Sequence, residues 1–386
     1  MCRYVMPIAH LAATLSLNLV SSAGEARPEY VRHGYFSCTS CHVSPGGGGL
    51  LKAYGRMVAT EKLSAWAKEN EDGPLHGAFE PDENLAVGGG VRWIQTYSDD
   101  AQTRKGSFFR MSSDIEGGLR LGKGVFKQAR VWVASRVGIE GGPDKSPTGE
   151  RIKHRTVSPT HYMQWEPSEG IYVRAGRFAT RFGLMIPDHS ASVRTGTGLS
   201  PGAETRQIEA TFTTKVLDLT FSRFIASRDR NLHGLWIDTA ESRDENGYAA
   251  HASFFLVEKY RIGVQALRGT NTDMVRTVRG IHAALPLSSA WTLLHETDWQ
   301  SHQSKKSHLT WTKLICDAFP GLSPYTWIEA NRPDMATSRG RRDGVGAGIA
   351  IKPRPHFNLD FASGLALDRE KYTYALNGRV IAHYWF

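Results

Sequence analysis

The last segment of the chain alternates without a break. From Tyr372 one set of positions reads Tyr372, Tyr374, Leu376, Gly378, Val380, Ala382, Tyr384 and Phe386. The other reads Thr373, Ala375, Asn377, Arg379, Ile381, His383 and Trp385. Successive side chains of a strand point to opposite faces, so a period of two predicts one strand with an apolar face and a mixed face. The strand is long enough to cross a hydrocarbon layer when tilted. The same period recurs upstream. Phe109, Met111, Ile115, Leu119 and Leu121 share one parity, and Arg110, Asp114, Glu116 and Arg120 the other. Val131, Val133, Val137 and Ile139 oppose Arg130, Arg136 and Glu140. Ile171, Val173 and Ala175 oppose Tyr172 and Arg174, while Phe357, Leu359 and Phe361 oppose His356, Asn358 and Asp360.

Segmenting on this period gives about 16 strands between Leu85 and Phe386, roughly 19 residues per strand and loop, within the range of membrane barrels. An apolar row facing lipid and a charged row facing a wet lumen satisfy both faces. A soluble sandwich produces the same parity by hiding the apolar row, so connection lengths have to separate the two. Four connections are long: Gly141 to Lys153, Pro187 to Gly202, Ser227 to Asn246 and Arg332 to Asp343. Those near Gly122–Gly124, Pro167–Ser168, Lys215, Lys259, Pro286–Ser289 and Pro353 are short. Long and short connections on alternate ends, with an even strand count and both termini on the periplasmic side, predict an all-β, antiparallel transmembrane barrel over 85–386. Its solvent is then outer-membrane lipid.

Composition agrees. A negative mean hydropathy argues against helical membrane bundles but not against a barrel, whose strands need only every second residue apolar. The formal net charge is +9. Lumen Arg and Lys would favour anions. No basic helix or aromatic platform accompanies the charge, which excludes a nucleic-acid function.

The N-terminal part reads differently. Arg3, an apolar run from Ile8 to Val20 and small residues from Ser21 to Ala26 make 1–26 a secretory leader. Cys2 leaves with it, and Cys316 stands alone, so no disulfide framework exists. A dozen or so residues on comes Cys38-Thr-Ser-Cys41-His42, the attachment sequence of c-type haem. Two thiols on one face of a turn can form thioethers to the vinyl groups, and the adjacent imidazole reaches the iron. A thiol-redox pair would need a βαβ context, and a zinc site a second ligand pair nearby. Residues 27–69 are therefore expected to form a small helical c-type cytochrome segment holding one covalent haem c, with His42 proximal.

Pro45 and Gly46 to Gly49 predict a loop, expected to give room around the haem edge. Leu50, Leu51, Tyr54, Met57 and Val58 then fall at helical spacing, extended by Leu63 and Trp66. Residues 70–84 read as a linker. Met57, 15 residues after His42, is one distal-ligand candidate, with His76, His33 and a wall histidine such as His383 as rivals. A five-coordinate iron is the remaining option. His295, Glu296, Asp298, His302 and His308 cluster in sequence, but strand parity splits them and a loop position for His302 removes it from a metal site.

Leader, one CxxCH, a short helix and a barrel resemble the fused monohaem cytochrome–porins of the outer membrane, best known from iron-oxidising bacteria. Their Leu-x-x-aromatic-Gly-Arg segment after the haem motif is matched by Leu51-Lys52-Ala53-Tyr54-Gly55-Arg56. The resemblance implies a cytochrome plugging the lumen and passing electrons between an extracellular redox partner and periplasmic electron carriers. It implies an electron carrier or outer-membrane oxidoreductase. Pro45 and four glycines replace the family's shorter Phe-Pro-type link, so iron as the donor does not carry over. An anion-leaning diffusion porin with a structural or sensory haem domain is the alternative. A soluble periplasmic all-β haem protein is a further one.

Overall fold

A computed structural model describes residues 27–386 apart from 36, 69–70, 80, 82, 101–102, 122–129, 142–154, 189, 201–202, 227–244, 258, 272–273, 304 and 338. The expected leader, the turn near Gly122–Gly124 and most of the connections 141–153 and 227–246 lie outside the described residues.

Sixteen strands close into one antiparallel barrel. They are β1 (Leu85–Asp99), β2 (Arg104–Leu121), β3 (Val131–Glu140), β4 (Arg155–Ser168), β5 (Ile171–Phe178) and β6 (Thr205–Thr213). Next come β7 (Leu217–Ile225), β8 (Asn246–Leu256), β9 (Tyr260–Thr270), β10 (Val275–Pro286) and β11 (Trp291–His302). The last five are β12 (Lys305–Cys316), β13 (Leu322–Arg332), β14 (Arg342–Arg354), β15 (Phe357–Asp368) and β16 (Thr373–Trp385). Each strand pairs with its sequence neighbours, and β1 pairs with β16 from Gly90↔Trp385 to Asp99↔Leu376. Closure leaves no unpaired edge, the condition for a sheet to exist in hydrocarbon.

The outer face is apolar. Ile115, Leu119, Val137, Ile208, Phe221, Val264, Ile281 and Leu365 are all exposed on it. In β9 the exposed Ile262 and Val264 alternate with the buried Arg261 and Gln265, so the apolar row points out and the polar row in. The strand ends that flank the four long connections lie at one end of the barrel, and the start of β1 and the end of β16 at the other.

Two expectations need correcting. In β2 the pairing skips from Arg92↔Ser112 to Trp93↔Arg110, a bulge at Met111. One extra residue reverses parity beyond it. Phe109 and Met111 therefore pack inside with Ile94, whereas Ile115 and Leu119 of the expected common face point outward. His302 is the final residue of β11 rather than part of a loop.

The lumen is filled from two sides. The β5–β6 connection, 179–204, turns inward and carries a one-turn helix at Ser192–Thr195. Its Arg181 and Arg194 meet Asp218 and Glu296 of the wall at 2.5 and 3.1 Å. From the other end enter residues 27–68. A 3-10 turn at Pro28–His33 buries Val31 against Leu184, Val193, Leu309 and Trp311, joining segment, inward loop and wall in one cluster. Val43 and Leu50 pack on Ala86, Trp132 and Tyr162. Gln164 donates to the Val43 carbonyl at 3.0 Å, and Arg174 to Ser44 Oγ at 2.7 Å. The N-terminal segment is thus a plug.

Asp317, in the β12–β13 turn, latches it. Arg32 Nε donates to its carboxylate at 2.6 Å, and His33 Nε2 lies 3.1 Å away. Burial alone would raise the Asp317 pKa, but hydrogen bonds from His33, Arg32 and Ser323 outweigh it and hold the carboxyl well below the usual range. A depressed folded pKa stabilises the docked plug above the unfolded carboxylate value, and the contribution fades as pH falls.

Two outcomes are expected. Val264→Arg, near the middle of β9, should cost about 2–4 kcal/mol in a urea titration in vesicles, against about 0.5 kcal/mol for Ala336→Arg in the β13–β14 loop. Proteolysis of the plug should be slow at neutral pH and accelerate below about pH 4, and Asp317→Asn should remove that dependence. An unchanged pH profile in the variant would rule out the latch.

Candidate functional site

The Cys38–His42 stretch forms one tight turn. Ser37 Oγ accepts from Thr39 N at 3.4 Å, and the Cys38 carbonyl accepts from Cys41 N and His42 N at 3.2 and 2.9 Å. The chain then folds back: Val43 N donates to Leu50 O at 3.0 Å and Lys52 N to Cys41 O at 2.8 Å. Gly47, Gly48 and Gly49 have φ of 77, 71 and 65°, a left-handed run open to glycine and strained for other residues. The expected loop is present, and its function is to reverse the chain so that His42 and Leu51 bridge.

Helix α1 spans Ala53–Glu61. It is shorter than the periodicity suggests, because Leu50 and Leu51 are held in the fold-back and Trp66 lies outside, 70% exposed. Gly55 is where the helix meets the motif: a Cβ there would stand 2.5 Å from the Cys41 carbonyl. Arg56 donates to Leu51 O at 3.1 Å. The Leu51–Arg56 segment therefore has a structural reason, since it clamps the CxxCH turn from behind.

Cys38, Cys41 and His42 line a cavity partly open to solvent, at the end of the barrel where β1 starts and β16 ends. Its far wall is the closure seam. Gly88, Gly89 and Gly90 of β1 contribute no side chain there, and a Cβ on Gly89 would reach 2.8 Å from the Phe386 ring. His383, Trp385 and Phe386 line it from the C-terminal side, and His356 from the β14–β15 turn.

Burial pushes the Cys41 thiol up to about 11, with Cys38 adding to the effect. Reactive redox thiols and zinc-bound cysteines require the thiolate. Both thiols are free, and no cluster of three or more His, Cys, Asp or Glu suited to a metal ion occurs among the described residues. Burial lowers the His42 pKa to about 4 against the opposing Gly48 and Gly49 carbonyls, so the ring is neutral at pH 7 and able to bind a metal. Its Nδ1 is buried without a hydrogen-bond partner. Two unlinked thiols, a neutral imidazole and a glycine-walled cavity fit a c-type haem.

The structure brings Cys38, Cys41, His42 and His383 to this cavity. Met57, His76 and His33 are not among its lining residues. On α1, Val58 and Ala59 face the cavity instead of Met57. His76 sits outside on the His356 ring, 4.9 Å between centroids, and His33 is engaged by Asp317. His356 was missed because it lies in a two-residue turn with no flanking motif. Glu296 and Asp298 are buried while His295 is only partly so, as the parity of β11 requires.

No family model and no curated protein matches the chain. Solved structures do match in fold. The outer-membrane channel DcaP of Acinetobacter baumannii aligns with TM-score 0.56 at 11% identity, covering 80% of this chain and 99% of its own. OmpF of Salmonella typhi, solved with daunomycin, gives 0.59 at 10%, covering 78% and 98%. OprB of Pseudomonas putida gives 0.59 at 8%, covering 78% and 94%. The chain therefore has the 16-stranded porin fold. The share of it beyond these alignments is close in size to the part that precedes β1.

Gly55→Val should lift α1 from the motif at about 1–3 kcal/mol, while Ala53→Val on the exposed side costs about 0.5 kcal/mol. Hydrogen exchange of the Lys52 amide, bonded to Cys41 O, reports this directly: protection should fall in the first variant only.

Proposed function

We propose that this chain is an outer-membrane electron-transfer protein whose barrel holds one covalent c-type haem on Cys38 and Cys41, with His42 as proximal ligand. The observation that carries the reading is the placement of all three residues on one glycine-walled cavity inside the lumen. The porin fold and the apolar outer belt support outer-membrane placement, with the termini periplasmic and the long connections outside. Bound there, the haem supplies one-electron redox chemistry. The chain anchors it through two thiols and keeps the His42 imidazole neutral by burial. The Val31 cluster excludes water between plug and wall. Periplasmic electron carriers would meet the plug end and an extracellular redox partner the loop end.

The alternative, an anion-leaning diffusion porin with a sensory or structural haem domain, draws support from the channel structures that share the fold. Against it, five lumen arginines are already occupied: Arg136, Arg174, Arg181, Arg194 and Arg379 each face a carboxylate within 3.1 Å. Plug and inward loop also meet in one packed cluster. The belt of exposed apolar residues opposes a soluble periplasmic protein.

Proteoliposomes with an enclosed electron acceptor and an external impermeant reductant test the proposal. The wild type should reduce the acceptor, and Cys38→Ala/Cys41→Ala should not. Solute leakage with no haem-dependent reduction would favour the porin instead.

A further inference from the structure

Two buried imidazole nitrogens without a hydrogen-bond partner belong to residues that line the seam cavity: Nδ1 of His42 and Nδ1 of His356. A buried nitrogen without a well-placed hydrogen bond is costly and leaves room for a further partner. His42 lies on the plug. His356 lies in the turn between β14 and β15, 1% exposed, at a left-handed φ of 66°.

The tautomer of His356 follows from its neighbour. The Glu71 carbonyl can only accept, so the 2.8 Å contact with His356 Nε2 is an N–H donation. In the neutral ring that proton leaves Nδ1 with the lone pair. A histidine whose other N–H is spent on a backbone carbonyl is the usual arrangement of a metal ligand. The ring packs against Trp385 at 4.8 Å and His76 at 4.9 Å between centroids. An ion pair from Arg354 to Glu71 holds the acceptor in turn.

The rival on the same cavity is His383. A guanidinium can only donate, and Arg92 Nη2 lies 3.3 Å from His383 Nδ1. Its proton therefore sits on Nε2, and neither nitrogen offers a lone pair without breaking that contact. Met57 does not line the cavity.

We propose that His356 is the sixth ligand of the haem iron, an inference that rests on the haem attachment above. The Nδ1 lone pair forms one coordination bond; no bond breaks and no electron changes owner. The haem would then join plug to barrel wall, with imidazole on both faces instead of the thioether that raises the potential of His/Met cytochromes.

The test uses the full chain in detergent, purified with haem attached, and reads the ferric spin state by EPR and absorption. Wild type, His383→Ala and Met57→Ala should be low-spin. His356→Gly, chosen because glycine accepts this φ, should become high-spin and return to low-spin on adding imidazole. His356→Asn, which also tolerates a left-handed backbone, gives the same readout if the glycine variant does not fold. Heat-dependent gel mobility confirms the barrel in each. A low-spin His356→Gly protein, or a high-spin wild type, overturns the ligand assignment. Wild type without covalent haem overturns the attachment itself, a separate outcome.

Discussion

Closure of the sheet is the constraint on which the rest depends. In hydrocarbon every strand needs a partner on both sides, so the first strand must find the last. β1 pairs with β16 over Gly90 to Asp99, which sets Gly89 and Gly90 against Phe386 and Trp385. The CxxCH turn faces this seam, so the cavity lined by Cys38, Cys41 and His42 takes its far wall from closure. The glycines of β1 and the aromatic end of β16 then form the cavity wall. Site and closure are one structural event, and a chain that failed to pair β1 with β16 would have neither.

A closed barrel of 16 strands leaves a lumen, and this one is lined with charge. Buried charges persist only when paired, because desolvation is otherwise uncompensated. Arg181 and Arg194 solve this from the inward loop by meeting Asp218 and Glu296, and Arg379 of β16 meets Asp188 of the same loop at 2.7 Å. Such pairs contribute little net stability but fix position, since breaking one strands a charge. The inward loop is therefore held in a single arrangement, which gives Val31 of the plug a fixed apolar surface to dock on.

Much of this was legible in the sequence. Strand parity marked Leu85 as the start of β1, gave the count of 16, and put the long connections on one end. The CxxCH motif and the Leu51–Arg56 segment marked the site, and Gly55 now has a steric reason. What stayed hidden was long-range. The Met111 bulge leaves no trace in a period-two pattern, because it depends on the register with Arg92 and Trp93. The connection from Pro187 to Gly202 reads as an outer loop, because the inward fold of 179–204 depends on Asp218 and Glu296 far along the chain. Met57 sits at plausible helical spacing but on the wrong side of α1, a matter of how the fold-back at Gly47–Gly49 rotates the helix. His356 carries no local signal at all.

The position of the cavity sets what either functional reading has to explain. The barrel's apolar band is about 25 Å tall, and the cavity lies near its termini end. A second cavity adjoins it and shares Arg27, Tyr30, Lys352, Asn358 and His383 with the first. It reaches Ile186, Pro187 and Asp188 of the inward loop. The cluster around Trp311 supplies part of this second cavity's lining, whereas the cluster around Phe224 lies apart from both cavities. A path from the first cavity into the second passes Tyr30 and reaches the Arg379–Asp188 pair. The same route would serve a solute, but at Arg379 a solute would have to displace a paired charge, whereas an electron would not. The proposed electron transfer therefore asks less of the Arg379–Asp188 pair than diffusion would, in a fold shared with channels.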